Sequence, residues 1–152
     1  MSNRSSADEV TKPNAFPDIN PSNRDPELFQ FEVAQGDFLQ VIEDYEDNFL
    51  DAIVTTFFID SAQNALTYLD VISRLLKPNG LWINFGGLNF AYEPFTEDGF
   101  IPMSLEIFKN IVKKEYDFEF LKDEMVLSSY ARPRISMTEI QQNCAFFVCR
   151  KK

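Results

Sequence analysis

One stretch, residues 50–87, constrains the fold more than any other part of the sequence. Residues 51–59 are β-branched and aromatic, which is typical of a strand buried on both faces. Residues 61–77 repeat apolar side chains at helical spacing. Residues 77–80 (Lys-Pro-Asn-Gly) end this helix, since proline lacks a backbone donor and Asn-Gly accommodates positive φ. Residues 81–85 then indicate a second buried strand, so we expect a parallel, right-handed βαβ unit.

This unit also predicts where a ligand binds. Ligands of open α/β sheets lie beyond the carboxyl ends of the strands. The positions to consider are therefore residues 55–60 and 86–92.

The remaining segments continue the alternation of strands and helices. Residues 1–28 are rich in Pro, Asn, Ser and Asp and indicate an extended arm before a domain over residues 29–152. In chain order we predict a short strand over 29–34, a short helix or irregular segment over 39–49, a helix over 103–115 capped by Ser104, a strand over 116–127, a long connection over 128–143 and a strand over 144–149. This order is similar to the latter half of a class I methyltransferase, a Rossmann-like α/β sheet that ends in an antiparallel hairpin.

Charge and residue usage exclude several classes of protein. A formal net charge of −10 argues against nucleic acid or an anionic membrane as partner. No apolar run approaches the roughly 20 residues that span a bilayer. Cys144 and Cys149 lie in one predicted strand at odd spacing and cannot bridge each other, so we expect a reduced intracellular protein, cytoplasmic or also nuclear. Without histidine the chain has no Ser-His-Asp triad and no His-ligated metal site.

Several separated motifs resemble the carnosine N-methyltransferase family, nearly from end to end of the chain. They are Ser5-Ser6-Ala7-Asp8, Phe16-Pro17-Asp18-Ile19-Asn20-Pro21, Gly36-Asp37-Phe38, Phe57-Phe58-Ile59-Asp60-Ser61-Ala62-Gln63-Asn64, Trp82-Ile83-Asn84-Phe85-Gly86 and Val126-Leu127-Ser128-Ser129-Tyr130. The resemblance implies methyl transfer from S-adenosylmethionine to an imidazole nitrogen of a small dipeptide, carnosine, giving anserine.

The resemblance also implies roles for four residues. Asp37 and Phe38 would lie beside the adenine or ribose of the cofactor, and Thr56 would occupy another cofactor-contacting position. Asp60 would contact carnosine. A carboxylate that accepts a hydrogen bond from one imidazole nitrogen fixes the tautomer and leaves a lone pair on the other, facing the methyl group.

Each of these residues also has a purely structural interpretation. Asp60 is a suitable N-cap for the following helix, with Gln63 completing a capping box. Asp37 is suited to an Asx turn at a strand end, Phe38 to the core, and Thr56 to filling a strand.

Other family features have no counterpart in this sequence. The Gly-rich cofactor loop and the ribose-binding acid would precede Met1, and the positions of the substrate-contacting histidine and tyrosines hold Ala91, Ile140, Gln141 and Gln142. The absent strands would lie in the middle of the sheet, between residues 29–35 and the strand at Ile53.

An unfilled gap of this kind leaves open backbone donors and acceptors. Three arrangements would resolve it: residues 29–35 pair directly with the strand at Ile53, a second chain or a homodimer supplies the strands, or the gene product is incomplete. Two functions stay open, an N-methyltransferase and a catalytically inactive truncated remnant that acts as a binding or regulatory module.

Overall fold

The computed structural model describes residues 13, 31–88, 101, 103–129 and 140–152. Its elements are α1 (Phe38–Val41), β1 (Leu50–Thr56), a 3₁₀ helix (Ile59–Ser61), α2 (Ala65–Leu75), β2 (Leu76–Gly86), α3 (Leu105–Lys114), β3 (Phe118–Ser129) and β4 (Gln141–Lys151). Two compact units divide the chain: Met1–Glu43 with Ala131–Ile140, and Asp44–Tyr130 with Gln141–Lys152. The predicted arm, residues 1–28, lies outside the described residues except for Pro13.

The second unit contains a four-stranded sheet in the order β1-β2-β4-β3. Strands β1 and β2 are parallel, with Ile53 opposite Trp82. Strand β4 runs antiparallel to both of its neighbours, β2 and β3. The predicted α/β sheet with a C-terminal antiparallel hairpin is therefore confirmed.

The core lies between this sheet and the two longer helices. Helix α2 contributes Leu69 and Ile72, and helix α3 contributes Phe108 and Val112, all fully buried. They pack in one cluster with Trp82 of β2, together with Phe118, Phe147 and Cys149 from the hairpin. Both thiols, Cys144 and Cys149, are buried and free, as their spacing predicts.

The prediction that the first strand is buried on both faces is wrong. Strand β1 stops at Thr56, and Val54 in its centre is 66% exposed. Among the described strands β1 pairs only with β2, so no described strand lies along its other edge. A run of β-branched residues indicates a strand, but the number of layers that cover it depends on the rest of the fold.

The short strand predicted over residues 29–34 is also wrong where the structure describes it. Residues 31–35 form neither helix nor strand. Phe31 and Val33, the apolar half of the alternation, are 50% and 76% exposed. Alternation marks a strand only when a neighbouring strand supplies the backbone partners. The described residues 31–35 thus provide no strand for the arrangement in which residues 29–35 pair with the strand at Ile53.

The connection between α2 and β2 differs in detail from the predicted turn. The helix is shorter than the predicted 61–77, and the chain passes directly into β2. The pairing of β1 with β2 jumps from Leu50–Leu76 to Ala52–Leu81, so residues 77–80 form an irregular first part of β2. Asn79 has φ of 65°, which confirms the expected positive φ in this segment.

Helix α3 and the hairpin of β3 and β4 largely match their predictions. Ser104 caps α3, its hydroxyl oxygen accepting from Ile107 N–H at 3.2 Å. The long connection predicted over residues 128–143 is wrong at both ends, because Ser128 and Ser129 belong to β3 and β4 begins at Gln141. No helix in the described ranges is long and apolar enough to cross a membrane.

A hydrogen bond from Tyr116 to Asp70 of α2 makes the stability of the second unit sensitive to alkaline pH. The hydroxyl donates to Asp70 Oδ1 at 2.5 Å. Burial, together with the hydrogen bond and the charge of Asp70, raises the pKa of Tyr116 from 10.0 to about 12. The unfolded chain releases this proton at lower pH than the folded one, so the free energy of unfolding falls as pH rises from about 10 to about 12. We expect Tyr116→Phe to flatten this fall in urea titrations across that window, and an unchanged slope would contradict the assignment.

Candidate functional site

The carboxyl ends of β1 and β2 meet in a tight backbone contact. Thr56, the last residue of β1, is exposed there. The next residue, Phe57, has φ of 47° and donates its N–H to Phe85 O at 2.8 Å. A Cβ added at Gly86 would lie 2.9 Å from Phe57 N, so only glycine permits this approach without a shift of the backbone.

Beyond this contact the chain forms the 3₁₀ helix that carries Asp60. Ile59 is buried in the core, and Ser61 N–H donates to Phe58 O at 3.0 Å. Asp60 itself is half-buried. Burial raises the pKa of the Cys144 thiol, and the negative charge of Asp60 adds to that shift. Asp60 therefore acts electrostatically on the beginning of β4.

The interpretation of Asp60 as the N-cap of α2 is wrong. The helix begins at Ala65, and its N-cap is Asn64, whose Oδ1 accepts from Leu66 N–H at 2.9 Å. The predicted capping box with Gln63 is absent for the same reason, because the 3₁₀ helix delays the start of α2 by several residues. Capping thus does not account for a carboxylate at position 60.

Since Asn64 and not Asp60 caps α2, alanine substitutions at these two positions should differ in their effect on the free energy of unfolding. We expect Asn64→Ala to lower the free energy of unfolding by about 1 kcal/mol, the usual contribution of an N-cap side chain. Asp60→Ala should leave the cap intact. Urea unfolding followed by circular dichroism measures both variants, and a larger loss for Asp60→Ala than for Asn64→Ala would restore the capping interpretation.

A cavity of about 300 Å³ opens at the carboxyl end of β2. Residues from four elements or their flanking segments line it: Gly86, Gly87, Leu88, Met103, Ser104, Leu105, Met125, Asn143 and Ala145. All of these side chains are uncharged, so the cavity suits a neutral ring better than an ion. It includes part of the predicted stretch 86–92, of which residues 89–92 lie outside the described residues.

The lining also contains residues that the sequence analysis did not select. Asn143 and Ala145 are alternate residues of β4, and Met125 of β3 pairs with Ala145. Their alternation places them on one face of the hairpin, but only the pairing of β4 with β2 brings that face to Gly86. Among the substituted family positions, Ile140 is 55% exposed and Gln142 is half-buried, and Ala91 lies outside the described residues.

A buried polar chain ties three strands together just inside this end of the sheet. Trp82 Nε1 donates to Thr55 Oγ1 at 2.9 Å, and the Thr55 hydroxyl donates to Asn84 Oδ1 at 2.9 Å. Asn84 Nδ2 donates to Ala145 O at 3.2 Å. Thr55 and Asn84 are only 5% and 6% exposed, so these bonds replace water for both side chains. These three hydrogen bonds fix β1, β2 and β4 relative to one another beneath the site.

Asp37 and Phe38 belong to the other compact unit. Asp37 is the N-cap of α1, and its Oδ1 accepts from Leu39 N–H at 3.0 Å and Gln40 N–H at 3.4 Å. The predicted local turn is thus present, and one carboxylate oxygen makes both bonds. Phe38 is half-buried. The structure brings Thr56 and Asp60 to one end of the sheet and places Asp37 beside Phe38 on α1.

Comparisons with known proteins point to one family. The family model of carnosine N-methyltransferase matches residues 1–152. Carnosine N-methyltransferase of Mus musculus is 40% identical over 98% of this chain and 36% of its own length. The Dictyostelium discoideum protein of the same name is 36% identical over 92% of this chain and 28% of its own length. A solved SAM-dependent methyltransferase from Methanosarcina mazei is 16% identical, with a TM-score of 0.44 over 71% of this chain and 62% of that chain. The chain thus spans about a third of the length of these curated relatives.

Proposed function

This chain belongs to the carnosine N-methyltransferase family, and from that premise we propose that it is an S-adenosylmethionine-dependent N-methyltransferase. Carnosine is the proposed methyl acceptor and anserine the product. The observation that carries this proposal is the position of Asp60 at the carboxyl end of β1, where Asn64 and not Asp60 caps the following helix.

Asp60 would orient the acceptor imidazole. Its carboxylate accepts a hydrogen bond from one ring N–H, which leaves the lone pair of the other nitrogen available for the methyl group. Methylation makes the ring cationic, and a carboxylate hydrogen-bonded to it stabilises that developing charge. Holding the ring in line with the methyl group removes much of the entropic cost of a two-substrate reaction.

The cavity at the end of β2 would hold the ring itself. Its described lining residues are uncharged, and two methionines, Met103 and Met125, contribute sulfur atoms suited to contact with an aromatic edge. Asn143 supplies an amide for the polar part of a dipeptide. This arrangement suits a small molecule that combines a neutral ring with peptide-like groups.

In the first compact unit, Asp37 and Phe38 are the residues proposed to contact the adenine or ribose of the cofactor, as the family resemblance implies. The exposed carboxylate of Asp37 accepts hydrogen bonds from hydroxyl or amino groups, and the ring of Phe38 suits an adenine face. In the second unit, the exposed hydroxyl of Thr56 is a separate candidate for a hydrogen bond to the cofactor. When bound, S-adenosylmethionine supplies a methyl group attached to a sulfonium.

Two further parts of the proposal concern partners and location. A second chain or a second copy of this one would pair with the edge of β1 along which no described strand lies. Uncovered edge strands favour such pairing. A reducing compartment, the cytoplasm or also the nucleus, is consistent with the buried free thiols of Cys144 and Cys149.

Mass spectrometry of a reaction mixture tests this function. The purified chain, S-adenosylmethionine carrying a labelled methyl group and carnosine should yield labelled anserine. Labelled product from a different acceptor would correct the substrate and keep the reaction class. Absence of labelled product from every imidazole acceptor would contradict the proposal.

A further inference from the structure

Phe57 has a backbone conformation that its side chain disfavours. The described non-glycine residues with positive φ are Asn48, Phe57, Asn79 and Asp117, at 55°, 47°, 65° and 55°. Asn and Asp tolerate this left-handed region, whereas a bulky aromatic residue there is an outlier. Such outliers persist where the surroundings impose them, and they concentrate at functional sites.

The surroundings of Phe57 do impose this conformation. Its N–H donates to Phe85 O at 2.8 Å, and its ring packs edge-on against the Phe85 ring with centroids 5.6 Å apart. The bare Cα of Gly86 lets the Phe57 backbone approach closely. Phe85 and Gly86, the last two residues of β2, thus constrain both the backbone and the side chain of Phe57.

The residues after Phe57 are held equally firmly. The Phe58 ring stacks on Tyr68 of α2 with centroids 5.0 Å apart, and Ile59 is buried in the core. The segment that carries Asp60 therefore has one anchor on β2 and another on α2. The direction in which it leaves β1 is set at Phe57.

We infer that Phe57 is a positioning residue, whose left-handed backbone turns the chain off β1 and places Asp60 for the acceptor. This inference rests on the proposed role of Asp60 in binding carnosine. A turn that only ended the strand would be made without strain by Gly or Asn. The aromatic side chain adds a contact with Phe85, while the left-handed backbone sets the direction of the turn.

Three substitutions separate backbone conformation from other effects. Phe57→Asn keeps a residue that tolerates the left-handed region, Phe57→Val introduces a β-branched residue that does not, and Phe57→Gly permits the conformation without enforcing it. Asn79→Val is the matched control, since it imposes the same backbone penalty at the amino-terminal part of β2. All four variants are made in the full chain.

The first readout is structural and needs no activity. In ¹⁵N spectra we expect the Asp60 and Ser61 amide signals to stay in place in Phe57→Asn and to move in Phe57→Val. If Phe57→Val does not fold, amide exchange in Phe57→Gly tests the inference instead. Its Ser61 amide, which donates to Phe58 O, should exchange with solvent at least several-fold faster than in the wild type. Unmoved signals in a folded Phe57→Val, or unchanged exchange in Phe57→Gly, would overturn the inference.

The second readout is carnosine turnover. We expect Phe57→Val to lower kcat/KM by about 10²-fold, the effect of a small misplacement of a positioning group, while Phe57→Asn and Asn79→Val retain wild-type values within a few-fold. Equal losses in Phe57→Asn and Phe57→Val would overturn the role of the backbone. A wild-type chain that does not methylate carnosine would refute the proposed function. The amide signals would still show whether Phe57 determines the position of Asp60.

Discussion

Replacing Asp60 with asparagine is expected to lower kcat/KM for carnosine by on the order of 10²–10⁴-fold, the range for groups that fix a tautomer or accept a proton. Asparagine has nearly the same shape but carries no charge, and its amide presents donors as well as an acceptor to the ring. It can therefore hold the wrong tautomer, and it does not stabilise the cationic product. Since Asn64 caps α2, the substitution leaves the cap of that helix in place.

Steady-state kinetics of Asp60→Asn against Asp51→Asn provide the measurement. Asp51 lies near the amino-terminal end of β1, the strand that precedes the 3₁₀ helix of Asp60, and is 86% exposed and paired with Lys77 at 2.7 Å. Exposed pairs of this kind contribute little to stability, so Asp51→Asn controls for the loss of one negative charge. Wild-type turnover by Asp60→Asn would remove this residue from the site, and an equal loss in both variants would indicate a general effect of net charge.

Replacing Trp82 with alanine is expected to cost about 3–5 kcal/mol of folding free energy, the usual range for a fully buried aromatic residue. Trp82 is completely buried, and its ring contacts those of Phe108, Phe118 and Phe147 at centroid distances of 6.2, 5.9 and 5.0 Å. It also donates the hydrogen bond to Thr55 that begins the buried polar chain. The substitution thus removes the largest side chain of the core and leaves a buried hydroxyl without its donor.

Urea unfolding followed by circular dichroism measures this loss, since Trp82 is the only tryptophan available for fluorescence. Trp82→Phe keeps an aromatic ring and removes the N–H, so we expect an intermediate loss of about 1–3 kcal/mol. Val54→Ala, at a position 66% exposed on the neighbouring strand, should change stability by no more than about 0.5 kcal/mol. A Trp82→Ala variant as stable as Val54→Ala would show that the core is not organised around this residue.

The elements that the sequence predicts well are those whose signals are local. Helix α3 has an apolar stripe and a serine cap, and both are present in the structure. The parallel pairing of β1 with β2 follows from the strand–helix–strand order alone. Asn79 adopts the positive φ that its Asn-Gly sequence indicates. In each case residues close to one another in the sequence determine the local structure.

The wrong predictions concern features that a local hydrophobic or capping pattern does not determine. Residues 31–35 alternate as a strand does but form neither helix nor strand. Val54 looks like a core residue, yet the described part of the chain leaves it exposed. Asp60 has the sequence of an N-cap, and the 3₁₀ helix shifts that role to Asn64. Local pattern cannot report which surface a distant element covers.

The candidate site divides in the same way. Thr56 lies near the carboxyl end of a predicted strand and Asp60 follows that strand, so the rule that ligands bind beyond strand ends selects them from sequence. Asn143 enters the lining through the pairing of β4 between β2 and β3, which sequence order alone does not give. The sequence also does not reveal the positive φ of Phe57, because contacts with Phe85 and Gly86 in the folded structure impose this conformation.

Calorimetric titration of S-adenosylmethionine into the purified chain, after cooperative unfolding has been verified, is the decisive test of the proposed function. We expect binding with a Kd on the order of micromolar, and a weaker complex with Asp37→Asn. Asparagine is as good an N-cap as aspartate, so this variant preserves α1 while it removes the charge. A cooperatively folded chain that produces no heat of binding would contradict the account and favour a non-catalytic member of the family.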